Sequence, residues 1–149
     1  FGTVAIGKTM FPLASEKYDR KVNSFGLFKK SFLITVILCL TAVAFFAFIP
    51  KLVISILYGS QYVDMAPFLV YSGIAMSLLA LSNLVLLYGL SVNALKKSQY
   101  LFIFLFIEVV LLGLFNSNIL EYIIAFMVSN IIMFIGSLSL LRKWRVGSV

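Results

Sequence analysis

A chain of 149 residues that is 62% hydrophobic and 11% charged has too few ionic groups to coat a water-facing surface, where about 25% is usual. With no histidine and one cysteine, Cys39, imidazole chemistry, the usual transition-metal sites and an internal disulfide are excluded. The net charge of +7 does not point to nucleic acid, because the bases gather at the ends of apolar runs, where anionic lipid headgroups attract them.

The first apolar run, residues 1–14, makes about 20 Å of helix against a hydrocarbon core of about 30 Å. It reads as the inner half of a span, and the chain as a piece of a longer protein. It lacks the basic start and small-residue cleavage pattern of a signal peptide. Residues 15–30 form a polar cytoplasmic segment with Lys17, Arg20, Lys21, Lys29 and Lys30 against Glu16 and Asp19. Within it Tyr18, Val22 and Phe25 recur at helical spacing, which predicts an amphipathic helix in the membrane interface.

A transmembrane helix is predicted over about 31–49, stopped by Pro50. Residues 50–64 read as an external connection holding a short surface helix and a turn at Gly59-Ser60-Gln61. The second of these helices covers about 65–92, more than a bilayer needs, so it is tilted or extended. A polar link at 93–99 carries Lys96 and Lys97. The third span, about 100–115, is just long enough to cross, and the fourth covers about 119–141 after the tight link Asn116-Ser117-Asn118. The tail 142–149 combines Arg142, Lys143 and Arg145 with an interfacial aromatic, Trp144.

Ten bases lie in the segments 15–30, 93–99 and 142–149, and Lys51 is the one base in 50–64 and 116–118. This asymmetry puts the three basic segments in the cytoplasm. The continuous apolar runs lack the period-two alternation of a β-barrel, so the fold class is all-α, a polytopic membrane helix bundle.

Polar groups within hydrocarbon are costly and mark candidate sites. Lys8 lies within two turns of the inner end of the first run. Pro12, four residues on, cannot donate to the Lys8 carbonyl and predicts a kink. Facing the bundle, Lys8 would bind an anionic group such as a phosphate; otherwise it snorkels along its own helix to the interface. Glu108 has Phe104 and Leu112 as its neighbours four residues away, and no local cation. It reads as a proton or cation relay, as half of an ion pair, or as a protonated carboxyl bonded to a neighbouring helix. Asn83 and Asn130 fall inside spans, as interhelical hydrogen-bond groups or as cargo contacts. Gly73, Ser77 and Ala80 put small groups on one helix face, suited to close packing, and Cys39 is a small apolar filler. No Gly-rich loop followed by Lys-Ser/Thr is present, and one carboxylate does not make a paired acid–base site. No catalytic residue, metal site or cofactor is expected, and the chain does not read as an enzyme.

Two segments are familiar in combination. Met10-Phe11-Pro12-Leu13-Ala14-Ser15 closes the first run, and Leu57-Tyr58-Gly59-Ser60-Gln61-Tyr62 precedes Ala66-Pro67-Phe68-Leu69 at the start of the long span. Together they resemble the polysaccharide-export flippases of the multidrug/oligosaccharidyl-lipid/polysaccharide exporter superfamily. There a Phe-Pro-x-x-Ser helix end and a Leu-aromatic-Gly-x-x-aromatic-x-x-x-Ala turn recur. The resemblance covers nearly the whole chain and implies the last helices of the second six-helix lobe of a two-lobe transporter. The implied activity is the flipping of lipid-linked oligosaccharide, of polyprenyl-diphosphate type, to the outer leaflet for surface polysaccharide, in a bacterial inner membrane. The implied partners are the lipid bilayer, that glycolipid and an N-terminal lobe of the same protein. Lys8 is similar to the cavity cations of such flippases by helix and charge. The alternatives are a cation-coupled multidrug exporter using Glu108, a membrane enzyme of lipid-linked glycan metabolism, and a non-transporting assembly subunit.

Reporter domains fused after Gln61 and after Lys97 are expected on opposite sides of the membrane. The same compartment for both tags would refute the threading.

Overall fold

The computed structural model describes residues 2–20, 24–92, 100–115 and 117–146, with side chains described except at 2, 100–102, 104 and 140–146. Every regular element among them is helical: α1 (Gly2–Asp19), α2 (Phe25–Phe48), α3 (Pro50–Leu57), a 3-10 turn (Ser60–Met65), α4 (Ala66–Ser91), α5 (Tyr100–Leu114) and α6 (Ile119–Val146). Prolines sit where their missing N–H is tolerated, Pro50 opening α3 and Pro67 in the first turn of α4. Gly59 links α3 to the 3-10 turn at φ 98°, a conformation that disfavours any side chain with a Cβ.

α1 runs unbroken through Pro12 and past Ala14 to Asp19. The proline removes one hydrogen bond without ending the helix, and an Arg20–Glu16 ion pair of 2.8 Å closes its last turn. The predicted interfacial helix is therefore divided. Tyr18 belongs to the end of α1, Phe25 opens α2, and Val22 lies outside the described residues.

Three described stretches are long and apolar enough to cross a membrane: Phe25–Phe48, Ser60–Ser91 and Ile119–Ser139. Four spans were expected. α5 is not among the three: its described 15 residues, Tyr100–Leu114, reach about 22 Å against a core of about 30 Å, and the basic link at 93–99 before it lies outside the described residues. Residues 147–149 lie outside them too, and Arg142, Lys143 and Arg145 of the predicted tail belong to the end of α6.

The helices are sorted inside out. On α2 the buried stripe is Phe28, Ser31, Thr35 and Cys39, spaced three and four apart, while Leu33, Ile34, Ile37, Leu38 and Phe48 are exposed. On α6 the buried positions include Ala125, Ser129, Asn130 and Ser137, with Ile124, Val128, Ile132 and Ile135 outside. Water would drive the larger apolar groups inward. In hydrocarbon that drive is absent, and small residues gather at interfaces because they let backbones approach. Four of the buried hydroxyls cost little because they turn back on their own helices: Thr35 donates to the Ser31 carbonyl, Ser82 to Leu78, Ser129 to Phe126 and Ser137 to Phe134.

α4 is the axis. It packs most extensively on α6, then on α2 and α1, while α5 lies chiefly against α6. Leu84, Val85 and Leu86 are all buried, so α4 is enclosed over more than half its circumference near its C-terminal end. There Tyr88 meets Phe28 at 4.6 Å and Phe25 at 6.2 Å between ring centroids. The Tyr88 and Ser24 hydroxyls share a buried hydrogen bond of 3.3 Å. One end of α2 is thereby fastened to α4. At the other, Gly73 allows the Phe46 ring to lie where a Cβ would approach Cδ2 to 2.6 Å.

Gly73→Leu is expected to force Phe46 out of that contact and to destabilise the bundle by about 1–3 kcal/mol, read as earlier thermal unfolding in detergent. Adding Phe46→Ala should recover part of the loss. Unchanged unfolding of the single variant would refute this α2–α4 contact.

Candidate functional site

The sequence nominates Lys8, Pro12, Asn83, Glu108 and Asn130, and the fold separates them into distinct places. α1 meets α4 through Gly7, Met10 and Ala14, all buried. A Cβ on Gly7 would lie 2.7 Å from Leu87 Cδ1. Lys8 stands roughly 130° round the helix from the centre of that face and is exposed, as is Pro12.

Depth follows from the same contacts. Gly7 is level with Leu87, and Phe28 is level with the next residue, Tyr88. Lys8 on α1 therefore shares a layer with Lys29 and Lys30 on α2. That places it toward the basic end of the bundle. Lys29 Nζ lies 5.2 Å from the Phe25 ring centroid, a cation–π contact that steadies its stem. Among the described residues Arg20–Glu16 is the one ion pair, so the charges of Lys8, Lys29 and Lys30 are uncompensated there. Such a layer attracts phosphate or other anionic groups.

Asn83 is exposed on α4 between the buried Ser82 and Leu84. It makes no hydrogen bond among the described residues, so it does not act as interhelical glue there and stays open to a cargo or to another segment.

Glu108 and Asn130 come together. Asn130 Nδ2 donates to the Phe126 carbonyl at 2.8 Å and faces Glu108 Oε1 at 3.5 Å. Glu108 is half-buried on α5, whereas Asn130 has 0% exposure on α6. Asn130 Oδ1 is buried without a hydrogen-bond partner. With no exposed surface, Asn130 cannot offer its amide to a cargo in this conformation. Of the readings open for Glu108, the ion pair finds no cation among the described residues, and a hydrogen bond to a neighbouring helix fits the contact.

One feature at the opposite end carried no polar signal in the sequence. A cavity of about 340 Å³ is lined by Ile54, Tyr58, Tyr62, Phe68, Leu69 and Ile119, among others. It draws on α3, the 3-10 turn, α4 and α6 at once. The aromatic residues around Gly59 were its only trace in the sequence.

Alanine substitutions at Glu108 and Asn130, singly and together, should show a coupling of about 0.5–2 kcal/mol in a double-mutant cycle of unfolding. Additive effects would show that the two side chains do not interact. No family model, curated protein or solved structure matches this chain.

Proposed function

We propose that the chain is the second-lobe portion of a flippase that carries lipid-linked oligosaccharide, of polyprenyl-diphosphate type, from the cytoplasmic to the outer leaflet of a bacterial inner membrane. The reading rests on the two ordered motifs and is supported by one observation in the fold, the exposed layer of Lys8, Lys29 and Lys30 at the basic end. A diphosphate headgroup in the cytoplasmic leaflet would meet these cations first. Lys8 lies on the face of α1 that α4 leaves open, where an N-terminal lobe would form the other wall of a cavity. Rocking of two lobes would then expose that cavity to each side in turn. The polyprenyl tail would stay in lipid while the sugars and diphosphate crossed in a shielded space, avoiding the cost of bare transfer through hydrocarbon.

A second reading, a cation-coupled multidrug exporter, is favoured by Glu108 and its contact with Asn130. The two readings differ in cargo: an anionic headgroup needs Lys8, and a hydrophobic cation does not.

The test is complementation of a flippase-deficient strain by the full-length protein and its variants, with expression and membrane insertion confirmed. Loss of a charge-assisted contact costs about 1.5–3 kcal/mol, roughly ten- to a hundredfold in affinity. Lys8→Ala is therefore expected to cut surface glycan sharply, and Lys8→Arg to retain most of it. Normal glycan with Lys8→Ala would remove Lys8 from the site. Failure of the unaltered protein to complement, in a strain making a matched glycan, would count against the flippase reading.

A further inference from the structure

We propose that Glu108 and Asn130 form a one-proton binding site, in which a neutral carboxyl and a carboxamide close a two-point hydrogen-bonded ring between α5 and α6. The inference begins with an unsatisfied atom. Asn130 is fully buried and its Oδ1 has no partner, although a buried acceptor left unpaired costs about 1–3 kcal/mol. The nearby donors are already engaged. Asn130 Nδ2 gives one N–H to the Phe126 carbonyl at 2.8 Å, and Ser129 gives its hydroxyl to the same oxygen at 2.9 Å.

The other N–H of Nδ2 faces Glu108 Oε1, at a long 3.5 Å. An ionised Glu108 has acceptors only and cannot satisfy Asn130 Oδ1. A proton on Oε2 converts the same side chain into a donor. Small side-chain rotations then let Oε2–H reach Oδ1 while Nδ2–H shortens its bond to Oε1. Proton binding thus satisfies the orphaned oxygen with no change of backbone.

The surroundings favour a proton over a metal cation. Hard cations such as Ca²⁺ and Mg²⁺ take about six or more oxygen ligands. Here the carboxyl supplies two and Asn130 one, while the Phe126 oxygen already accepts two hydrogen bonds. Along the described residues of α4, α5 and α6, other charges stand far off. α4 and the remainder of α5 carry none. On α6, Glu121 is nine residues from Asn130 and Arg142 is twelve residues from it, about 14 and 18 Å along the axis. The proposal is independent of cargo, and it gives α5, which packs chiefly on α6, a polar fastening that one proton completes.

The experiment is infrared difference spectroscopy of the full-length protein in lipid nanodiscs over a pH series, with Glu108→Gln as the reference. A protonated-carboxyl C=O band is expected in the unaltered protein and lost in the Gln variant. Asn130→Leu should shift that band to higher frequency or abolish it, because the ring is broken. Glu108→Gln keeps a neutral amide that can bond Oδ1, so its fold should be retained. Should it misfold, Glu108→Asp serves as the reference, with a displaced band expected. Absence of any band assignable to Glu108 would overturn the proposal. So would a band unmoved by Asn130→Leu, or one that changes with sodium concentration at fixed pH.

Discussion

Small residues and self-bonded hydroxyls allow the helices of this chain to touch, and the rest of the bundle depends on that contact. Between helices in hydrocarbon there is no water to expel, so large apolar side chains give no advantage at the interface. The close approaches come at Gly7 against Leu87 and Gly73 against Phe46. Thr35 and Ser82 sit at 0% exposure, their hydroxyls paired with carbonyls four residues back. Those two hydroxyls are then satisfied without a cross-helix bond. Asn130 Oδ1 is a buried acceptor with no partner among the described residues, which is why that residue stands out.

α4 gains most from this arrangement. Its basic-end half is enclosed by α1, α2 and α6, with Leu84, Val85 and Tyr88 in one buried cluster with Met10, Ala14 and Phe28. Its other half is looser, and there α3, the 3-10 turn and α6 leave the apolar cavity beside Phe68 and Leu69. The two ends thus differ in chemistry: exposed lysines around a packed aromatic cluster at one, an unfilled apolar recess at the other.

The candidate site was legible residue by residue, and its geometry was not. Glu108 and Asn130 each drew notice because a polar group inside an apolar run is costly. Their meeting could not be read, because they are 22 residues apart on separate helices and contact depends on how α5 and α6 are rotated. Lys8 was visible as a charge in an apolar run. Its level beside Lys29 and Lys30 depends on how far α1 slides along α4, which Gly7 and Leu87 decide. α5 ends at Leu114, one residue before the end of the apolar run read at 100–115, because a continuous greasy run is a local signal.

By itself the sequence determined that the chain is helical, that stretches around Cys39, Ala75 and Asn130 are long and apolar enough to cross a membrane, and that its cations lie at the stretch ends. These are local properties, set by composition and by the need to pair every backbone group within its own segment where water is absent. Only the tertiary structure decided which faces are buried, which cations share a layer, and that an acid and an amide from different helices meet. Those outcomes depend on the rotation and offset of whole helices, set by many small contacts at once and encoded in no short run of residues.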